Sequence, residues 1–126
     1  MCKQKGIPIM KRYAGVGMAV MVAAGLVCAE TRTSFKNYAV WPDDQGVHIN
    51  AHGGGVLFHD GRYYWFGEHK VAGEAGNQAQ VGVSCYSSAD LYNWKNEGIA
   101  LSVVETAGHD IEKTCILERP KVIFCK

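Results

Sequence analysis

The pair Asp60-Gly61 constrains this chain more than any other feature. It separates two runs that favour extended backbone, residues 56–59 (VLFH) and 62–66 (RYYWF). An Asp-Gly pair accepts the positive φ angles of a two-residue turn, so the stretch predicts a tight antiparallel hairpin. Three glycines, Gly53, Gly54 and Gly55, precede it. The aromatic strand is expected to end at Gly67, with Glu68, His69 and Lys70 at its exit. A strand end that offers aromatic rings and a carboxylate suits a sugar. Ring faces stack on the C–H faces of pyranoses, and carboxylates accept hydroxyl hydrogen bonds.

The rest of the chain reads as further short strands. Residues 37–41 suggest a short extended piece and residues 42–46 (PDDQG) a loop. After the hairpin, residues 71–80 are rich in Gly, Ala, Asn and Gln and read as a surface loop. In residues 81–87 (VGVSCYS), Val81, Val83 and Cys85 alternate with Gly82, Ser84 and Tyr86, the period of a half-buried strand. Residues 88–98 are turn-rich. Asp90 is placed to start one helical turn, and Asn96-Glu97-Gly98 to close the loop. Residues 99–104 form the next strand, and residues 115–124 (CILERPKVIF) begin another, interrupted by Pro120. No segment keeps a helical period over three turns. Four antiparallel strands in series, then the start of a fifth, match one propeller blade and the entry to the next. Such a blade has two faces that need neighbours, so an incomplete domain is expected.

Residues 1–29 read as a secretory leader. Lys11 and Arg12 precede the uncharged apolar run 14–27, and Val27-Cys28-Ala29 gives a small-residue cleavage site after Ala29. Met10 opens the more conventional form of this signal. The run is short for a membrane span. Cys28 raises a lipoprotein alternative, disfavoured by Val27 just before it. Residues 30–49 then form an extended lead-in and residues 50–126 the incomplete domain. Four of the thirteen Lys and Arg lie in the leader, which has no acids, so nine face twelve Asp and Glu beyond it, a net charge of −3. That balance gives no footprint for nucleic acid. The expected location is secreted or periplasmic, with no stable membrane span once the leader is removed. Cys85, Cys115 and Cys125 remain. Buried thiols are favoured over a Cys85–Cys115 bridge.

The segments AHGGGVLFHDGRYYWFGEHK, SCYSSADLYNWKNEG and CILERPKVIF together resemble the first blade and the opening of the second in glycoside hydrolase family 43, and within it the exo-β-1,3-galactanase branch. The second segment carries the pattern S-D-L-x-N-W-x-x-E-G through Ser88, Asp90, Leu91, Asn93, Trp94, Glu97 and Gly98, with Ala89 intervening. The resemblance covers residues 50–124. It implies a five-bladed β-propeller and an inverting, exo-acting enzyme that hydrolyses the O-glycosidic bonds of a plant-type galactan. In that chemistry two carboxyl groups about 6.5–9.5 Å apart serve as acid and base. The family's usual base, an Asp opening the first strand, is absent: the matching place reads Ala51-His52-Gly53-Gly54. The galactanase branch shares that departure. The acid is expected in a later blade, so the chain as given is expected to be truncated and inactive alone, its catalytic residues unassigned. The alternative is a non-catalytic carbohydrate-binding propeller fragment. No cofactor is expected; an axial calcium belongs to the complete propeller and has no support in these residues.

The resemblance carries over Glu68 and Glu118 as pocket carboxylates that hold the terminal sugar, and His52 is a further sugar-contact candidate. Each has an ordinary alternative. Glu68 is placed to pair with Lys70 or His69, and Glu118 with Arg119 or Lys121, exposed pairs of small worth. The glycines after His52 allow close backbone approach to a ligand or to a neighbouring blade. Trp65 and Trp94 read as core before they read as sugar platforms. His52-Gly53-Gly54-Gly55 also matches an esterase oxyanion loop, but the chain has no Gly-x-Ser-x-Gly elbow. His48, His52, His59, His69 and His109 show no metal-binding spacing.

Overall fold

The computed structural model describes residues 30–73 and 75–126; the expected leader lies outside them. The hairpin forms as its turn chemistry demands. Asp60 and Gly61 take φ angles of 47° and 75°, and His59 pairs with Arg62 directly across them. Both signs are positive, the pattern of the turn whose twist matches paired strands. The hairpin joins β1 (His52–His59) to β2 (Arg62–Lys70). A 3-10 turn, Gly76–Ala79, interrupts the following loop before β3 (Gln80–Ser88), and β4 (Lys95–Ser102) closes the series. The four strands form one antiparallel sheet in the order β1-β2-β3-β4. The expected all-β class and the series of four antiparallel strands therefore hold.

Several boundaries differ from expectation, each for a physical reason. The aromatic strand does not end at Gly67. It runs on to Lys70, because Glu68 pairs with Val83 and His69 with Gly82 in the ladder with β3. β3 is buried continuously from Gly82 to Ser88 rather than on alternate residues. A strand in the middle of this sheet is covered on both faces, so its small Gly and Ser side chains are as enclosed as its large ones. β4 begins at Lys95, so Asn96, Glu97 and Gly98 belong to the strand. Asp90 starts no helix. Its Oδ1 accepts from the backbone N–H groups of Tyr92 and Asn93, each at 2.8 Å, which holds an open turn. Residues 37 and 38 form a turn, with Tyr38 at φ 61°, where an extended piece was expected. Residues 115–124 pair with no strand among the described residues.

One face of the sheet carries the core. Tyr86 and Trp94 are buried with Ile49 and Ala51, and Trp41, Tyr63, Trp65 and Leu91 pack against them. Trp65 lies 5.6 Å from Trp41 and 5.4 Å from Trp94 between ring centroids, in tilted and edge-on contacts. Such pairs add to the area they bury. The Trp94 indole N–H donates to the Leu91 carbonyl at 2.9 Å and that of Trp41 to the Tyr92 carbonyl at 3.2 Å. Trp94 is thus core, and Trp65 is packed against it. Residues 30–50 cover this face. The Asn93 side chain clips them by accepting from the Arg32 N–H and donating to the Arg32 carbonyl.

Residues 119–124 cross the opposite face of β1. A Cβ at Gly55 would meet the Lys121 stem at 3.1 Å, the Lys121 ammonium donates to the Gly54 carbonyl at 3.0 Å, and Phe124 stacks on His59 at 4.2 Å. Large apolar side chains stay exposed on both sides, among them Val56, Phe58, Ile99, Leu101 and Ile123. The three cysteines among the described residues are free, Cys85 buried; burial, then the nearby Glu97 charge, pushes its thiol pKa up.

Candidate functional site

The sugar-site candidates meet at the end of the sheet where β1 begins and β2 ends. The glycine run builds that end. The ladder between β1 and β2 slips between His52 and Gly55, which sets His52 directly opposite Glu68. Gly53 has φ 55°, and a Cβ on Gly54 would fall on the Phe66 carbonyl. The run is thus required by a β-bulge against the neighbouring strand, a need internal to the sheet. On β2, a Cβ on Gly67 would fall on the backbone of Ala51. Asn50 then extends the pairing with its side chain: it donates to the Lys70 carbonyl at 2.7 Å and accepts from the Lys70 N–H at 3.0 Å.

Glu68 is held at the centre of this end. It is 3% exposed. Its Oε1 accepts from the Arg119 N–H at 2.8 Å, and its Oε2 lies 2.9 Å from the Lys70 ammonium. Burial pushes its pKa up, but the Lys70 hydrogen bond, the Arg119 N–H and the Lys70 and His52 charges outweigh burial and hold it below the usual glutamate range. The Lys70 pairing was the ordinary alternative for Glu68, and it forms; the site it forms in is buried. Lys70 also donates to Asn77 Oδ1 at 2.9 Å, and Asn77 Nδ2 donates to Glu118 Oε1 at 3.1 Å. Glu118 is exposed and joins the cluster through Asn77. It makes no ion pair with Arg119 or Lys121 within 4.0 Å.

His52 is exposed beside Glu68. His69 faces Ser84, its Nδ1 2.9 Å from the hydroxyl. Burial, then the neighbouring His52, pushes the His69 pKa down. Sequence reasoning missed Asn50, Lys70 as a hub, and Asn77. Only the Lys70 pairing had a local signal, its spacing two residues from Glu68. No group of three or more His, Cys, Asp or Glu side chains is placed to hold a metal among the described residues. Open clefts lie on the aromatic face, one of about 250 Å³ lined by Phe35, Trp41, Val56, Trp65, Leu91 and Trp94. Among the described residues no helix is long and apolar enough to cross a membrane.

The chemistry of the Glu68 end is that of a hydroxyl-accepting edge. Glu68 is an ionised acceptor, Lys70 a donor, and the exposed Glu118 a second acceptor. A general acid needs its pKa raised, the reverse of what this setting does to Glu68.

No protein-family model and no curated sequence matches the chain. Solved structures do. A family 43 β-1,3-galactosidase with galactodeoxynojirimycin is 62% identical at a TM-score of 0.62, over 69% of this chain and 25% of that one. An exo-β-1,3-galactanase of Phanerochaete chrysosporium with galactose is 45% identical at a TM-score of 0.60, over 69% of this chain and 19% of that one. An exo-β-1,3-galactanase of Clostridium thermocellum is 40% identical at a TM-score of 0.56, over 70% and 18%. The chain thus spans a quarter or less of the length of each of these three proteins. By identity and shared fold, about two thirds of this chain corresponds to a segment of glycoside hydrolase family 43, in the exo-β-1,3-galactanase branch.

Proposed function

We propose that this sheet is the first blade of a five-bladed propeller, that residues 115–124 open the second, and that the Glu68 end holds the terminal galactose of a β-1,3-galactan. The observation that carries the reading is the 62% identity to a β-1,3-galactosidase with a galactose-like iminosugar, in a segment whose Glu68 is kept ionised beside donors. The complete protein is then an exported, exo-acting inverting glycosidase that acts on plant-type galactan.

The division of labour follows from Glu68. A carboxylate with a lowered pKa, already engaged by an ammonium and an N–H, accepts hydroxyl hydrogen bonds but has no proton to give at neutral pH. Glu68, Glu118 and His52 therefore bind and orient the sugar. Inversion needs an acid and a base on opposite sides of the ring, about 6.5–9.5 Å apart, and we assign neither role here. Residues 30–126 alone bind galactosides without cleaving them.

Incubating the chain with β-1,3-galactan and measuring released galactose tests the catalytic half; no release is expected, and release at an enzymatic rate overturns it. The binding half is tested by titrating β-1,3-galactobiose into the chain while following amide resonances of residues 50–55 and 66–70. Shifts confined to that end are expected, and shifts confined to the Trp65 face contradict the placement.

A further inference from the structure

The Glu68 end is tied together by two side chains, those of Lys70 and Asn77. We propose that Lys70 and Asn77 are positioning residues that fasten Glu68 and Glu118 into one hydroxyl-binding unit, an inference that rests on the galactan reading above. Three separate stretches meet in this unit. Lys70 ends β2, Asn77 sits in the 3-10 turn Gly76–Ala79, and Glu118 lies on the segment that approaches β1. The contacts run in series: Glu68 Oε2 to Lys70 Nζ at 2.9 Å, Lys70 Nζ to Asn77 Oδ1 at 2.9 Å, Asn77 Nδ2 to Glu118 Oε1 at 3.1 Å.

The chemistry of each link fixes its direction. An ammonium only donates and an ionised carboxylate only accepts, so the Asn77 amide has a single orientation that serves both. Lys70 has three donors, and two are used within the unit. The third is left for a sugar hydroxyl. The start of the Lys70 stem is itself fixed, because the Asn50 side chain holds both its N–H and its carbonyl. Glu68 is closed over by these contacts, so a hydroxyl reaches it alongside Lys70. Glu118 is exposed on a segment that pairs with no strand among the described residues, and Asn77 is what directs its carboxylate to the Lys70 side. Exposed links of this kind contribute little to stability. Their consequence is spacing: one ammonium and one amide set how far apart the two acceptors stand.

The test uses the full chain, carboxyl-carbon NMR without ligand, and β-1,3-galactobiose titrations. Asn77→Ala lies in an exposed loop and keeps the sheet's amide dispersion. It is expected to move the Glu118 carboxyl resonance and weaken binding about fivefold, the size of one ordinary lost hydrogen bond. Lys70→Met is expected to raise the Glu68 titration midpoint and weaken binding about tenfold. Lys70→Arg restores the midpoint and most of the affinity, which a merely structural lysine does not require. Wild-type carboxyl resonances in both variants, or wild-type binding in both, overturn the positioning role alone. A wild-type chain that binds no galactobiose overturns the galactan reading, and the positioning role with it.

Discussion

Gly67 of β2 lies directly against Ala51, so close that a Cβ on Gly67 would land on the Ala51 backbone. That approach lets the lead-in dock on the sheet beside Glu68, since Ala51 is part of the buried core. The obstruction is main chain, which no rotamer change relieves. Gly67→Ala is expected to destabilise the chain by about 2 kcal/mol or more, at the upper part of the overpacking range. Urea unfolding followed by tryptophan fluorescence measures it, and an unchanged midpoint contradicts the close approach.

Asp90 governs the turn between β3 and β4. Its carboxyl is held at about 2, from an ordinary 3.8, first by the Asn93 backbone N–H and next by the Asn93 side-chain amide. A folded pKa below the unfolded one means the stabilisation is complete above about pH 3.8 and disappears as pH falls towards 2. Asp90→Ala is expected to cost about 1 kcal/mol at pH 6, as the loss of a capping carboxylate does. Urea midpoints at pH 6, 3 and 2 check this: the gap between wild type and variant narrows at the acid end. A gap that is constant with pH overturns the assignment.

Trp94 anchors the aromatic face. It is buried, its N–H is satisfied by Leu91, and it touches both Trp41 and Trp65. Trp94→Ala removes a large core ring, a loss of about 3–5 kcal/mol. In a small sheet with apolar side chains exposed on both sides, that is most of the total stability. The expected result is a chain without cooperative unfolding or near-ultraviolet circular dichroism. A cooperative transition near the wild-type midpoint contradicts the core assignment.

The parts legible in the sequence were those fixed by neighbours in the chain. Asp60-Gly61 determines its own turn because the required φ angles are local. β3 was found but its burial was misjudged, since its period of two described side-chain size rather than cover. Ser84 meets His69, Ser87 meets Arg62 and Glu97, and a Cβ on Gly82 would strike the Leu101 carbonyl. These needs arise across the sheet. The lead-in was illegible for the same reason. Asn93 and the Asp43–Asn96 contact hold it from about fifty to sixty residues away. Glu68 was singled out by family resemblance, whereas Asn77 sits in a polar loop whose composition says nothing of where it folds back.

Glu68 also fastens the last described segment to the sheet, through the Arg119 N–H. Glu68→Gln and Glu68→Ala separate this role from that of charge. A glutamine keeps an acceptor for Arg119 but loses the ion pair with Lys70; an alanine loses both. Amide exchange at Arg119 should therefore stay slow in Glu68→Gln and speed up at least tenfold in Glu68→Ala, the equivalent of about 1.4 kcal/mol and typical of one charge-assisted hydrogen bond. The charge itself is read by pH. The folded pKa of Glu68 lies below the ordinary glutamate value of 4.5, so the carboxylate stabilises the fold fully above that value and its contribution fades as pH falls through the lowered one. Wild type and Glu68→Gln should thus differ by a constant amount from pH 8 to pH 5 and converge in more acid solution. Equal exchange at Arg119 in the two variants would show that the segment is held by Lys121 and Phe124 instead.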